Sequence, residues 1–199
     1  RMMLDEEIAR AILVGDGRLP DSDDKVNETC IRPIASDDDL YCVKAPVAVA
    51  AAATEDDIAK AFIKTVIKSR KEYKGSGSPT LFTTEDVITG CLLLEDKNGR
   101  VIYDTVDKLA TALRVKEIVP VEVMETAKTK VNSVEKPLLA IMVNLTDYYV
   151  GADKGGSVNM FDDFDIDYNQ QKYLMETRCS GALVKPYSAV AVALDKAEA

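Results

Sequence analysis

Apolar positions recur at helical spacing from Met2 to Val14, where Leu4, Ile8, Ala11 and Ile12 share one face. Asp5, Glu6 and Glu7 fall in the early turns and Gly15 follows as a stop, so the pattern predicts a helix cut short at its start. The periodicity then disappears. From Asp16 to Lys44 the chain is acidic, through Asp21, Asp23, Asp24, Asp37, Asp38 and Asp39, with Pro20 and Pro33 as breakers. It reads as a surface loop or arm whose charges are solvated. Helical spacing returns at Thr54, a capping residue followed by Glu55, Asp56 and Asp57, and runs to about Lys74, with Lys68, Arg70, Lys71 and Lys74 in the last turn and Gly75 after it. Ile58, Ala61, Phe62, Thr65 and Val66 form the stripe that should pack on a sheet. Gly75-Ser76-Gly77-Ser78 follows this helix instead of opening one, which makes it a flexible turn and not a phosphate cradle.

Shorter elements come next. Leu81 and Phe82 suggest a strand, and Thr84, Glu85 and Asp86 start a helix carrying Val87, Ile88, Cys91 and Leu92 that closes at Asn98-Gly99. Thr105 opens another helix through Arg114. Val119 to Met124 and Leu138 to Val143 read as strands, with Pro120 favouring an edge or a strand start. A hairpin turn is expected over Gly151 to Gly156, ahead of Val158. Residues 168 to 190 suggest one long strand that ends at Arg178 and Pro186. No internal repeat is present.

Length and composition narrow the class. A chain of 199 residues with 47% hydrophobic content can bury one full core or two modest ones. Lys+Arg 25 against Asp+Glu 34 gives a net charge of −9, which disfavours non-specific adhesion to nucleic acid or to an anionic membrane. No apolar run approaches the roughly 20 residues that span a bilayer, and nothing resembles a signal peptide. Cys30, Cys42, Cys91 and Cys179 are scattered, without a Cys-x-x-Cys pair, and histidine is absent. Free thiols in a reducing cytoplasm fit this better than disulfides or zinc. Without histidine, Ser-His and Cys-His nucleophile activation is excluded within the chain, and carboxylates, Lys and Tyr remain as acid or base groups. Neither catalytic residues nor a cofactor or metal is expected.

One dense carboxylate cluster stands out: Asp162, Asp163, Asp165 and Asp167. In strand geometry Asp163, Asp165 and Asp167 share a face opposite Phe164, Ile166 and Tyr168. Asp165, Asp167, Asn169 and Glu176 match positions one, three, five and twelve of a calcium loop, yet Gln170 stands where that loop needs Gly and the flanks read as strands. The cluster therefore reads as a solvated strand face or as a subunit contact to a basic partner. Asn144-Leu145-Thr146 fits the glycan acceptor pattern by coincidence.

Three segments, in this order and separation, resemble the major capsid proteins of tailed phages, the Hong Kong ninety-seven-type fold. They are the helix closing on Ala11-Ile12-Leu13-Val14-Gly15-Asp16-Gly17, the helix running into Leu94-Glu95-Asp96-Lys97-Asn98-Gly99-Arg100, and the final strand with Glu176, Arg178 and Pro186. The resemblance spans Met2 to about Leu194. It implies an α+β fold with a peripheral domain (1–45 and 146–187, a spine helix plus long strands) and an axial domain (46–145 and 188–199, a central sheet flanked by helices). It also implies a fragment lacking the family's amino-terminal arm and extended loop, since the chain opens at Arg1 inside the spine helix. The implied function is a non-enzymatic shell subunit of a phage or prophage head. Such a subunit assembles with copies of itself around double-stranded DNA, binds that DNA without sequence specificity, works with scaffold, protease or portal partners, and has no membrane. Its implied place is the virion, and the host bacterial cytoplasm during assembly. Lys97, Asn98, Gly99 and Arg100 would face a subunit contact, as would Asp162, Asp163 and Asp165. In some members an Asn near the start of the final strand is attacked by a Lys of another subunit while a Glu assists; Asn169 and Glu176 fall at the matching positions. An encapsulin-like compartment shell is the alternative within the fold, and a carboxylate-metal hydrolase the alternative outside it.

Overall fold

The computed structural model describes residues 2–15, 30–131, 134–152 and 158–197. At its centre lies a six-stranded mixed sheet ordered β1 (Cys42–Val49), β10 (Ala189–Lys196), β5 (Val134–Val143), β2 (Thr80–Thr83), β3 (Ile118–Pro120), with β4 (Lys128–Val131) paired to the other end of β5. β10 is the middle of the construction. Its run Ala189-Val190-Ala191-Val192-Ala193 is fully buried, parallel to β1 on one side and antiparallel to β5 on the other. The alternation decides what covers each face, because successive side chains point to opposite sides.

On the valine face, Val190 and Val192 join Val47, Leu81 and Met142 beneath α2 (Glu55–Ser69), α3 (Glu85–Leu92) and α4 (Val106–Leu113), which contribute Phe62, Val66, Cys91, Leu109 and Leu113. On the alanine face, the small Ala189 and Ala191 leave room for Ile34, Met124, Ile141, Tyr148 and Leu183, with Ile12, Leu13 and Val14 at the end of α1 (Met2–Leu13) packed against them. Two modest cores on one sheet are thus the way 199 residues were used.

The helix signals were physical, and most are seen at work. Thr54 and Asp57 form a reciprocal capping box at α2, and the Thr105 hydroxyl accepts from the Lys108 amide at α4. The buried stripe of α2 is Ala59, Phe62, Ile63, Val66 and Ser69, rotated by about one position from the expected one. α2 ends at Ser69, short of Lys74, because Tyr73 turns back into the core and stacks under Arg70, 4.7 Å from guanidinium to ring centre. Likewise α3 ends at Leu92, and Asn98-Gly99 closes a separate turn beyond it.

Other expectations need correction. β1 was not anticipated, since Lys44 and Pro46 interrupt its apolar run; as an edge strand it tolerates the missing proline N–H. The stretch before it is not all surface. Ile34 and Ala35 are fully buried, and Asp37 is buried with Arg32 at 3.2 Å. Val119 to Met124 is strand only as far as Pro120, after which Glu122–Thr126 coils into a 3-10 turn that buries Met124. The long strand of residues 168 to 190 is three pieces: β8 (Gln170–Glu176), β9 (Cys179–Leu183) and the start of β10. Asp16 and Gly17 lie outside the described residues, as do 153–157 of the expected Gly151 to Gly156 turn; Gly151 itself lies in β6 (Tyr148–Ala152).

β6 and β9 form a two-stranded sheet, extended by a parallel bridge between Ile31 and Gly181. Gly181 is required there by close approach: a Cβ would sit 2.6 Å from the Tyr148 ring, whose hydroxyl donates to the Arg32 carbonyl. Beyond this sheet, β7 (Asn159–Asp165) and β8 make a third, separate two-stranded sheet.

Candidate functional site

The β7–β8 hairpin touches little but itself. Its register pairs Asn159 with Glu176, Phe161 with Leu174, Asp163 with Lys172 and Asp165 with Gln170 on one face, and Met160 with Met175, Asp162 with Tyr173 and Phe164 with Gln171 on the other. Both faces carry apolar side chains and neither is covered. Met160, Phe161, Phe164, Ile166, Tyr168, Tyr173, Leu174 and Met175 are 39% to 82% exposed, with Ile166 at the tip the most open. These eight leave on the order of 100 Å² each, roughly one side of a standard protein interface. A lone hairpin is at best marginally stable in water, and apolar surface of this total, shared between its two faces and its tip, marks a contact.

The aspartates occupy this hairpin. Asp162, Asp163 and Asp165 are strand residues as expected, and Lys172 forms an ion pair with Asp165. Asp167 is not on the strand face with Asp163 and Asp165. It sits in the tip turn, its amide donating to the Asp165 carboxylate. Asn169 ends the turn in the left-handed region (φ 50), a conformation Asn tolerates better than most residues. Glu176 lies at the base of β8, so six strand steps, roughly 20 Å, separate it from the tip. That spacing also removes the calcium loop, whose first and twelfth ligands must meet at one ion. Among the described residues no group of three or more Cys, Asp or Glu side chains converges as a metal site.

A second projection is the turn after α3. Glu95 bridges Val101, the Asp96 amide donates to the Arg100 carbonyl (2.8 Å), and Gly99 takes φ 70, which L side chains resist. The result presents Lys97, Asn98 and Arg100 to solvent, flanked by exposed Leu93, Val101 and Ile102.

The junction between the central sheet and the smaller sheet is tied by polar contacts that the sequence reading missed. Ser76 donates through its amide and its hydroxyl to the two oxygens of buried Asp147, each at 2.6 Å, while its carbonyl accepts from the Asn144 side chain (2.6 Å). The Gly75 to Ser78 stretch is therefore anchored at Ser76, and the Asn144 amide has a structural use. Burial is the chief cause that pushes the Tyr73 and Tyr148 hydroxyls and the Cys91 thiol up to about 12, and it raises Cys42 as well. Cys42 and Cys91 are thus inert thiols. No described helix is long and apolar enough to cross a membrane.

Neither a family model nor a curated protein matches the sequence. Solved structures do match in three dimensions. The capsid of an empty GTA particle covers 97% of this chain at a TM-score of 0.57 and 12% identity, and a protein of Gordonia phage Cozz covers 99% at 0.52 and 15%. The chain has the tailed-phage major capsid fold. It spans 63% and 62% of those two chains. Within this capsid fold, the α+β architecture expected from the sequence is present: a central sheet flanked by helices, and two smaller two-stranded sheets.

Proposed function

We propose that the protein is a structural subunit of a tailed-phage or prophage head, assembling with copies of itself into a closed icosahedral shell around double-stranded DNA, and that it is not an enzyme. The observation that carries this reading is the β7–β8 hairpin, uncovered on both faces beside a body that has two buried cores of its own. An apolar hairpin of this kind is stable only once a neighbour covers it. Cys42 and Cys91 are inert thiols and the sequence has no histidine, and a capsid fold supplies the class of assembly.

In this reading residues 1–45 and 146–187 form the peripheral domain, and 46–145 with 188–199 the axial domain, with β1 crossing the division. The Lys97–Arg100 turn and the Asp162, Asp163 and Asp165 hairpin are the subunit contacts. A net charge of −9 keeps packaged DNA from adhering to the wall. Scaffold, protease and portal proteins would act during assembly in the host cytoplasm, and the product belongs to the virion. Asn169, at the exposed hairpin tip, is offered as the acceptor of a neighbour's lysine, with Glu176 of another subunit assisting. Sedimentation of the full gene product tests the main reading: large closed particles support it, and a monomer at every concentration and salt overturns it. Denaturing gels of the particles test the cross-link, which predicts covalent multimers that Asn169→Ala abolishes; monomer bands alone remove it.

A further inference from the structure

The hairpin has a complementary surface elsewhere on the chain. Two adjoining hollows of about 780 Å³ and 560 Å³ run along β1 and the flank of α2, sharing Lys44, Pro46, Lys71 and Glu72 in their walls. Lys64 and Lys68 project from the α2 side of the second hollow, and Lys74 from the far end of the first. Between them lie the small Pro46, Ala48 and Ala61 together with Thr65 and Ser69, and Asp39 and Glu72 set two acids among the five lysines. β1 is the outer strand of the central sheet, so no further strand closes this side. The basic character comes from three elements that meet only in the fold. Among the described residues Lys64 and Lys68 have no ion partner.

The hairpin tip carries the opposite charge. Of its four aspartates, Asp165 is paired with Lys172, while Asp162, Asp163 and Asp167 have no ion partner among the described residues. The tip is also thin, two strands wide, with Phe164, Ile166 and Tyr168 at its end. Apolar side chains stand on both faces of the tip, so it can lie along an open groove with either face down.

We propose that the acidic, aromatic tip of the β7–β8 hairpin of one copy docks along the lysine-rich trough beside α2 and β1 of a second copy. This rests on the shell-subunit reading and gives that contact its two sides. The trough lysines meet Asp162, Asp163 and Asp167, and Pro46, Ala48 and Ala61 lie against the tip side chains. Lys44 and Lys71 are already engaged, Lys44 with the carbonyls of Ala35 and Asp37 and Lys71 with Glu72, so Lys64 and Lys68 carry the recognition. Contacts of this kind set specificity and encounter rate and weaken with salt.

The test uses the full gene product with p-benzoylphenylalanine in place of Phe164, irradiated after assembly, with the adduct mapped by mass spectrometry. Adducts joining two copies at residues 42–49 or 60–74 are expected. Adducts elsewhere on a second copy, or within the same chain, overturn the contact and leave the shell reading standing; absence of both particles and adducts overturns the two together. A charge-exchange series gives a second readout. Asp163→Lys with Asp167→Lys, and separately Lys64→Glu with Lys68→Glu, should each cut particle yield by about tenfold or more, and all four changes together should restore it. All of these positions are exposed, so thermal melts should match the parent protein. Yields that stay at the parent level, or a combined variant no better than the single pairs, contradict the proposal.

Discussion

Replacing Phe161 and Phe164 with serine separates what the hairpin does for the fold from what it does between copies. Phe161 is 53% exposed and Phe164 50%, so each leaves on the order of 100 Å² for a neighbour to cover. At about 25 cal/mol per Å², covering both is worth about 4–5 kcal/mol per contact, or roughly a thousandfold in association. Within the monomer the pair contributes far less. Phe161 loses its cross-strand partner Leu174, a term of about 0.2–1 kcal/mol, and Phe164 lies opposite Gln171, with Tyr173 on the diagonal. The double variant should therefore unfold in denaturant within about 1 kcal/mol of the parent, while the critical concentration for particle formation, read by light scattering, rises by two to three orders of magnitude. An unchanged critical concentration refutes the reasoning. So does a loss of more than about 2 kcal/mol in the monomer, which would mean that the hairpin packs into the body.

Three further outcomes follow from the interior. Asp147→Ala strips the Ser76 amide and hydroxyl of a buried carboxylate partner, and chemical denaturation should show a loss of about 3 kcal/mol, with Asp147→Asn recovering part of it. Gly181→Ala places a methyl 2.6 Å from the Tyr148 ring and should lower the unfolding free energy by about 1–3 kcal/mol, whereas Ser180→Ala, next to it and exposed, should not. Tyr73 and Tyr148 keep their protons in the folded state up to about pH 12, whereas the unfolded chain releases them near 10.0. Their contribution is therefore complete below pH 10 and is lost as pH climbs from 10 towards 12, and an absorbance titration of the eight tyrosines should show these two ionising last.

How much of this was legible depended on whether the deciding interaction was local. α2 could be read because its capping box, acidic first turn and apolar stripe all lie within 15 residues. The Asn98-Gly99 turn was legible for the same reason, since only a residue like Gly99 takes its positive φ readily. β1 was not, because Lys44 and Pro46 spoil its pattern and its strand state is set by β10, about 140 residues later. The division of the long strand at Thr177-Arg178 carries no turn residue to announce it. Asp37 looked like one more solvated acid among its neighbours, and only the fold buries it beside Arg32. Of the two surfaces proposed to meet, the aspartate cluster was visible as a run in sequence. The trough was not, because Lys44 meets Lys64, Lys68 and Lys71 only when β1 lies beside α2.

Electron cryomicroscopy of particles purified from cells expressing the full gene tests the central claim most directly. The account predicts closed shells in which residues 159–176 of every subunit are covered by an identical neighbour. Shells in which that hairpin stands free in solvent, or a protein that never leaves the monomeric state, would contradict it.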